Sequence, residues 1–253
     1  MAAILERLLN WSVDGLRAAC MSSRSHLDSL RTAAPAILPS LLLCDFGNLE
    51  REVGRLTAAG APGLHLDVMD GVFVPNFTYG MTIVEAFRKL TPLPLDVHLM
   101  MVEPQKYLRQ FRDAGADILT IHVEAVSDPL PILEEIKSLG LGAGLAINPS
   151  TPFVAVEKVL DLCDLLLIMS VEAGFGGQTF NPIVLDRLRR ARQLAGERLL
   201  LEVDGGVNLE TITDCAAAGA QLFVVGSAIF KQPDYGAAIS RLAAAALARS
   251  EEN

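Results

Sequence analysis

The sequence predicts an α/β protein, a (β/α)8 barrel, and three observations carry that expectation. From Pro35 onward, short apolar runs alternate with amphipathic helical stretches, the signature of βαβ units around a parallel sheet. The alternation repeats eight times, and sharing residues 35 to 249 among eight units gives about 27 residues each, the length of one strand, one helix and two short loops. The chain has 253 residues, of which 51% are apolar, so it can bury one large core.

The elements follow in order. Strand candidates run from Ala36 to Leu42, Leu64 to Met69, Leu95 to Met101, Ile118 to Val123, Gly142 to Ile147, Leu165 to Ser170, Leu199 to Asp204 and Leu222 to Val225. Three intervening helices open on a capping residue followed by proline: Asp128-Pro129, Thr151-Pro152 and Asn181-Pro182. Each pair offers a side-chain oxygen to orphan amides and then a pre-set φ. Helices stop at Gly60, Gly115, Gly140 and Gly219, just before the next strand. Eight right-handed units close into a barrel. An open doubly wound sheet is the alternative, but without a G-x-G-x-x-G after the first strand its usual dinucleotide chemistry lacks support.

Residues 1–34 read as a leader ahead of a single catalytic domain at 35–253. Ile4, Leu5, Leu8, Leu9, Val13 and Leu16 recur at helical spacing, and Met21 offers an alternative start. Glu6 and Asp14 interrupt the apolar segment and no clear small-residue cleavage site follows, so this is a poor secretory signal. The expectation is an appended helix or a misplaced start that the barrel can lose.

Lys and Arg number 21 and Asp and Glu 30, a net charge of −9 without any basic run, which argues against nucleic acid as a partner. Apolar runs such as 162–169 fall far short of the roughly 18 to 20 residues of a membrane-spanning helix. The four cysteines, Cys20, Cys44, Cys163 and Cys215, form no C-x-x-C pair. They read as ordinary thiols in a reducing compartment, and cytoplasm is the expected location.

Barrel active sites lie at the carboxyl ends of the strands, and side chains alternate along each strand. In the second strand His65, Asp67 and Met69 share one parity; in the third, Asp96, His98 and Met100; in the seventh, Glu202 and Asp204. Two imidazoles and two carboxylates therefore converge at one end of the barrel. A lone inward histidine is usually a satisfied core residue, but two strand-ending histidines, each two residues from a carboxylate, favour ligation. His26, in the leader, and His122, without a second ligand-type partner nearby, take the structural reading. A His2Asp2 set suits one divalent ion, Zn2+, Fe2+, Mn2+ or Co2+, and the ligand types do not select among them.

Three consecutive glycine-rich loops follow the sixth, seventh and eighth strands: Gly174-Phe175-Gly176-Gly177, Gly205-Gly206 and Gly226-Ser227. One such pair would merely make a turn. Three in succession describe a cradle in which backbone N–H groups hold a phosphate, without local lysines. The five lysines fall within or beside helical segments and none ends a strand, which disfavours a Schiff-base mechanism. Met69, Met100 and Met169 end strands two, three and six, as filler or as a hydrophobic shield that keeps water from a carbanion.

The runs Pro39-Ser40-Leu41-Leu42, His65-Leu66-Asp67-Val68-Met69-Asp70-Gly71, Phe73-Val74-Pro75-Asn76, Asp96-Val97-His98-Leu99-Met100, Gly174-Phe175-Gly176-Gly177-Gln178 and Val203-Asp204-Gly205-Gly206 resemble the ribulose-phosphate 3-epimerase family, in the same order, from about Pro39 to Phe230. The resemblance implies a metal-dependent TIM barrel that interconverts D-ribulose 5-phosphate and D-xylulose 5-phosphate in the pentose phosphate pathway. By that resemblance His65, Asp67, His98 and Asp204 are the metal ligands, and Asp67 and Asp204 the two acid/base groups. Ser40 and His98 would touch substrate, and the glycine loops with Phe175 would bind it and its phosphate. Asp67 would take the C3 proton from one face, the ion would stabilise the enediolate, and Asp204 would reprotonate the other face.

Two departures from the family pattern stand out. Leu43-Cys44 replace the usual Ser-Ala, and Ala173 stands where a proline normally precedes Gly-Phe-Gly-Gly. The second is expected to loosen a lid loop. Neither removes a ligand, so they bear on substrate preference, with an allulose 6-phosphate 3-epimerase as the alternative. A decarboxylase would be expected to carry Asp-x-Lys-x-x-Asp in the second strand, and Asp67-Val68-Met69-Asp70 has no lysine. A non-catalytic sugar-phosphate binding protein has no use for four converging ligands. The expected partners are a small phosphorylated ketose and further copies of the chain in a homo-oligomer.

Overall fold

The structure is a computed structural model that describes residues 23–175 and 177–248. Its eight strands are β1 (Ala36–Pro39), β2 (Leu64–Met69), β3 (Leu95–Met100), β4 (Ile118–His122), β5 (Gly142–Ile147), β6 (Leu165–Met169), β7 (Leu200–Asp204) and β8 (Leu222–Val225). They form one sheet of parallel strands in the order β1-β8-β7-β6-β5-β4-β3-β2. A parallel bridge between Ser40 and His65 joins the end of β1 to β2 and completes the circle. This is the barrel the alternation predicts. β1 ends at Pro39 rather than Leu42, because Leu41–Leu43 wind into a single 3-10 turn.

The described helices are α1 (Ser23–Ala33), α2 (Leu49–Ala58), α3 (Met81–Leu90), α4 (Leu108–Asp113), α5 (Leu130–Ser138), α6 (Val154–Glu157), α7 (Ile183–Ala195), α8 (Ile212–Ala217), α9 (Ser227–Phe230) and α10 (Tyr235–Leu247). Helical periodicity sets their inner faces: α7 buries Val184, Leu188, Ala191 and Ala195 in one stripe. Asp128 and Asn181 accept from the backbone N–H of Leu130 and Ile183 at 3.0 and 3.1 Å, as their positions before proline predict. Thr151 differs, because its hydroxyl is engaged by Glu124 instead of the α6 amides. The stop at Gly115 needs glycine: its φ is +101°, and a Cβ there would lie 2.3 Å from the Arg88 side chain.

Strand alternation divides the interior into two regions. Ile37, Leu66, Val68, Val97, Leu99, Leu119 and Leu201 face outward into the layer between sheet and helices. Facing inward at the amino-terminal end, Ala36, Leu38, Ile118, Leu165, Leu200 and Leu222 form an apolar plug. Above the plug the interior turns polar, with His65, Asp96, Thr120 and Glu202 all buried.

Helix α1 closes the amino-terminal end. Leu27 and Leu30 join the apolar plug. Leu27 reaches so far that a Cβ on Gly142 would meet its Cδ1 at 2.8 Å. Beside it His26 Nδ1 lies 2.6 Å from Asp117 Oδ1, while the other oxygen of Asp117 accepts from Arg88 and from the Leu95 backbone. The boundary expected after residue 34 therefore cuts through packed structure, and of the expected leader only residues 1–22 lie outside the described residues. Two buried leucines in an otherwise polar helix make too thin a stripe to announce such a plug.

Candidate active site and metal centre

A cavity of about 310 Å3 opens at the carboxyl ends of the strands. Ser40, Asp67, Met69, Met100, Met169, Gly174, Phe175, Gly177, Asp204, Gly205, Gly206, Gly226 and Ser227 all line it. His65 and His98 sit among the inward-facing residues, with no solvent exposure. Gly176 lies outside the described residues. One residue is an addition to the expected set: Lys231, which follows the single turn of α9, lines the same cavity. No lysine ends a strand, but one helical turn after β8 carries Lys231 back toward the mouth.

The four ligand candidates converge. One ligand atom from each of His65, Asp67, His98 and Asp204 lies within 4.8 Å of the others. His65 Nε2 is 3.4 Å and His98 Nδ1 3.2 Å from Asp67 Oδ1. His65 Nε2 is buried and has no hydrogen-bond partner, which fits a donor atom reserved for an ion. Its orientation comes from the other ring nitrogen, whose proton goes to Asp96 Oδ2 at 2.6 Å. Asp96 is the register partner of His65 across β2 and β3, a pairing that needs strand alignment and so escaped single-strand parity. Glu202 adds a third group to that buried set, with neither oxygen hydrogen-bonded; burial and the neighbouring Asp96 push its carboxyl up to about 8.

The two carboxyls proposed as acid and base differ in electrostatics. Burial raises both. At Asp67 the rings of His65 and His98 outweigh it and hold the carboxyl well below the usual range, and Ser40 Oγ donates to its Oδ2 at 2.7 Å. At Asp204 burial is reinforced by the negative Asp67, and the carboxyl is pushed up to about 7. The end of β2 is fixed by Thr78, whose hydroxyl donates to the Asp67 carbonyl and accepts from the Met69 amide. Burial lowers the His98 imidazole to about 4, with a further push from His122.

The loops after β6 and β7 complete the wall. Gly205 has φ +102°, and a Cβ there would lie 2.6 Å from Val171. At Gly206, with φ +62°, a Cβ would lie 3.0 Å from the Phe180 backbone nitrogen. The loop after β6 is tied at three points: Asn76 Nδ2 donates to the Gly174 carbonyl, Gln178 Nε2 to those of Glu172 and Phe175, and the Ala173 amide to Asn148 Oδ1. That last bond changes the meaning of Ala173. A proline has no N–H to give, so the alanine replaces ring rigidity with a hydrogen bond of 3.0 Å. His122 is not one of the clustered ligands, but its Nε2 meets His98 Nε2 at 2.8 Å, a contact that its position at the end of β4 did not disclose.

Fold and site together define a (β/α)8 barrel with histidines and carboxylates clustered at its carboxyl-terminal mouth. The model of the ribulose-phosphate 3 epimerase family matches residues 36–230. Ribulose-phosphate 3-epimerase of Synechocystis sp. is 49% identical over 209 residues, 81% of this chain and 91% of that protein. Its counterpart of Bacillus subtilis is 47% identical over 81% of this chain and 97% of that protein, and that of Escherichia coli 44% over 81% and 93%. The chain belongs to the ribulose-phosphate 3-epimerase family. Among solved structures, a 3-hexulose-6-phosphate synthase aligns with a TM-score of 0.61 at 20% identity, covering 83% of this chain and 99% of that one. A tryptophan synthase of Mycobacterium tuberculosis aligns at 0.66 and 16%, covering 88% and 97%. These two likenesses are of fold. Among the described residues, no helix is long and apolar enough to cross a membrane.

Proposed function

We propose that this chain interconverts D-ribulose 5-phosphate and D-xylulose 5-phosphate by inverting C3, with cytoplasm as its compartment. The observation that carries the reading is the convergence of Asp67 from β2 and Asp204 from β7 in one cluster with His65 and His98. Asp67, the anionic partner, takes the proton from C3, and the pair of electrons left by that bond moves into C2–C3 while the C2 oxygen becomes negative. Asp204 delivers a proton to the opposite face of C3 as the carbonyl reforms. Two groups are needed because one base returns the proton only to the face it came from. The reverse reaction exchanges the roles.

His65, Asp67, His98 and Asp204 are the residues that would hold a divalent ion. Bound there, it supplies Lewis-acid stabilisation of negative charge on the oxygens beside the reacting carbon. Met69, Met100 and Met169, each no more than 3% exposed, keep water from that carbon. The glycine loops and Lys231, which line the cavity, would receive the phosphate. The test is an assay of the purified chain on ribulose 5-phosphate in deuterated water, supplied in turn with Zn2+, Fe2+, Mn2+ and Co2+. Xylulose 5-phosphate carrying deuterium at C3 is the expected product, and absence of turnover with every ion overturns the reading.

A further inference from the structure

His122 has no role in the reading above. It ends β4, is fully buried, and is stacked on His98 with ring centroids 4.9 Å apart and planes 28° apart. Phe73 packs on the ring as well, also at 4.9 Å. Its two nitrogens meet different partners. Nε2 lies 2.8 Å from His98 Nε2, and Nδ1 lies 2.9 Å from Glu124 Oε2. Asn148 Nδ2 stands farther off, 3.5 Å from the same Nδ1.

These contacts determine where the protons sit. Two imidazole nitrogens at 2.8 Å need one proton between them, since two lone pairs would repel. Glu124 is itself held in place, its Oε1 accepting from the Asn148 amide at 2.7 Å. A carboxylate so fixed at 2.9 Å requires a proton on His122 Nδ1. With its proton on Nδ1, the His122 ring offers a bare Nε2, so the shared proton belongs to His98. With Nε2 protonated, the lone pair of His98 falls on Nδ1, the atom 3.2 Å from Asp67 Oδ1 and directed into the ligand cluster.

We propose that His122, anchored by Glu124, is a positioning residue: it accepts the Nε2 proton of His98 and thereby keeps His98 Nδ1 free to bind a divalent ion. The inference rests on the reading of His98 as a ligand. It gives the His98 side of the cluster the same support that Asp96 gives His65, with one extra ring in the chain of contacts. Outer partners of this kind typically alter metal affinity by about 10- to 100-fold.

The experiment has two arms. In the first, Zn2+ affinity is measured by chelator competition for the full-length parent, His122→Phe and His122→Gln. Phenylalanine keeps a stacked ring without an acceptor, whereas the glutamine amide oxygen restores one. His122→Phe is expected to bind Zn2+ about 10- to 100-fold more weakly, and His122→Gln to recover most of that loss. Equal affinities for parent and His122→Phe overturn the proposal, as does a His122→Gln variant as weak as the phenylalanine one. In the second arm, nitrogen-15 NMR of the histidine rings in the unmutated protein reads the tautomers, independently of whether any variant folds. The expected pattern is N–H at Nε2 of His98 and at Nδ1 of His122; an N–H at His122 Nε2 overturns the proposal. A parent that fails to bind Zn2+ would refute the metal reading itself, while the tautomer pattern still decides the role of His122.

Discussion

Asp67 and Asp204 stand in one cluster, and the separate roles proposed for them have a measurable signature. Asp204→Asn removes the proposed proton donor for one face while Asp67 and its Ser40 contact remain. Epimerisation is expected to fall by about 100-fold or more, the usual contribution of a positioned acid. Exchange of the C3 proton with deuterated solvent should fall less, in protein whose metal content matches the parent. Equal losses in both reactions would refute separate roles for the two carboxyls. Most of this cluster was legible in the sequence, because period-two alternation alone puts His65, Asp67, His98 and Asp204 on inward faces. Asp96 shares that parity, but its pairing with His65 and the contact of Glu124 with His122 were not legible, since which strands adjoin, and at what register, is decided only when the barrel closes.

At the scale of elements, the loops after β7 and β8 show how glycine and lysine would divide the work of binding the phosphate proposed above. Gly206 holds a left-handed backbone pressed against Phe180, so Gly206→Val forces a shift of the wall. A KM for the phosphorylated ketose raised by about tenfold or more is expected, a change of ~1.4 kcal/mol. The exposed Lys231 contributes a screened charge, and Lys231→Ala should raise the same KM about two- to tenfold at low salt and less at high salt. Neither effect should extend to free ribulose. Initial-rate measurements on both sugars at two ionic strengths check this, and an equal effect on the unphosphorylated sugar would show that these loops do not read the phosphate. Glycine runs were visible from composition; the single-turn helix α9 that returns Lys231 to the cavity was not, because four residues carry no periodicity.

For the whole molecule, α1 is the element whose importance the sequence least disclosed. A barrel open at its amino-terminal end would leave the plug of Leu38, Leu165, Leu200 and Leu222 facing water, and Leu27 and Leu30 prevent that. Leu30→Ala should therefore cost about 2–5 kcal/mol, as large-to-small core substitutions do. At about 2–4 °C per kcal/mol for a chain of this size, Tm drops by roughly 4–20 °C. A chain begun at Ala34 should melt lower than one begun at Met21, and equal melting temperatures would show that the helix is dispensable.

The closure of the barrel gives one more consequence. β1 pairs with β8 through four residues, but it meets β2 through the single bridge of Ser40 and His65. The staves of this cask are thus locked by one rivet, and the rivet is made from two residues of the catalytic mouth. If the mouth takes up ion and sugar as proposed, the hoop stiffens there, and amide deuteration at the β1–β2 join should slow on loading. The proposed site and the closure of the barrel thus share one point of the circumference.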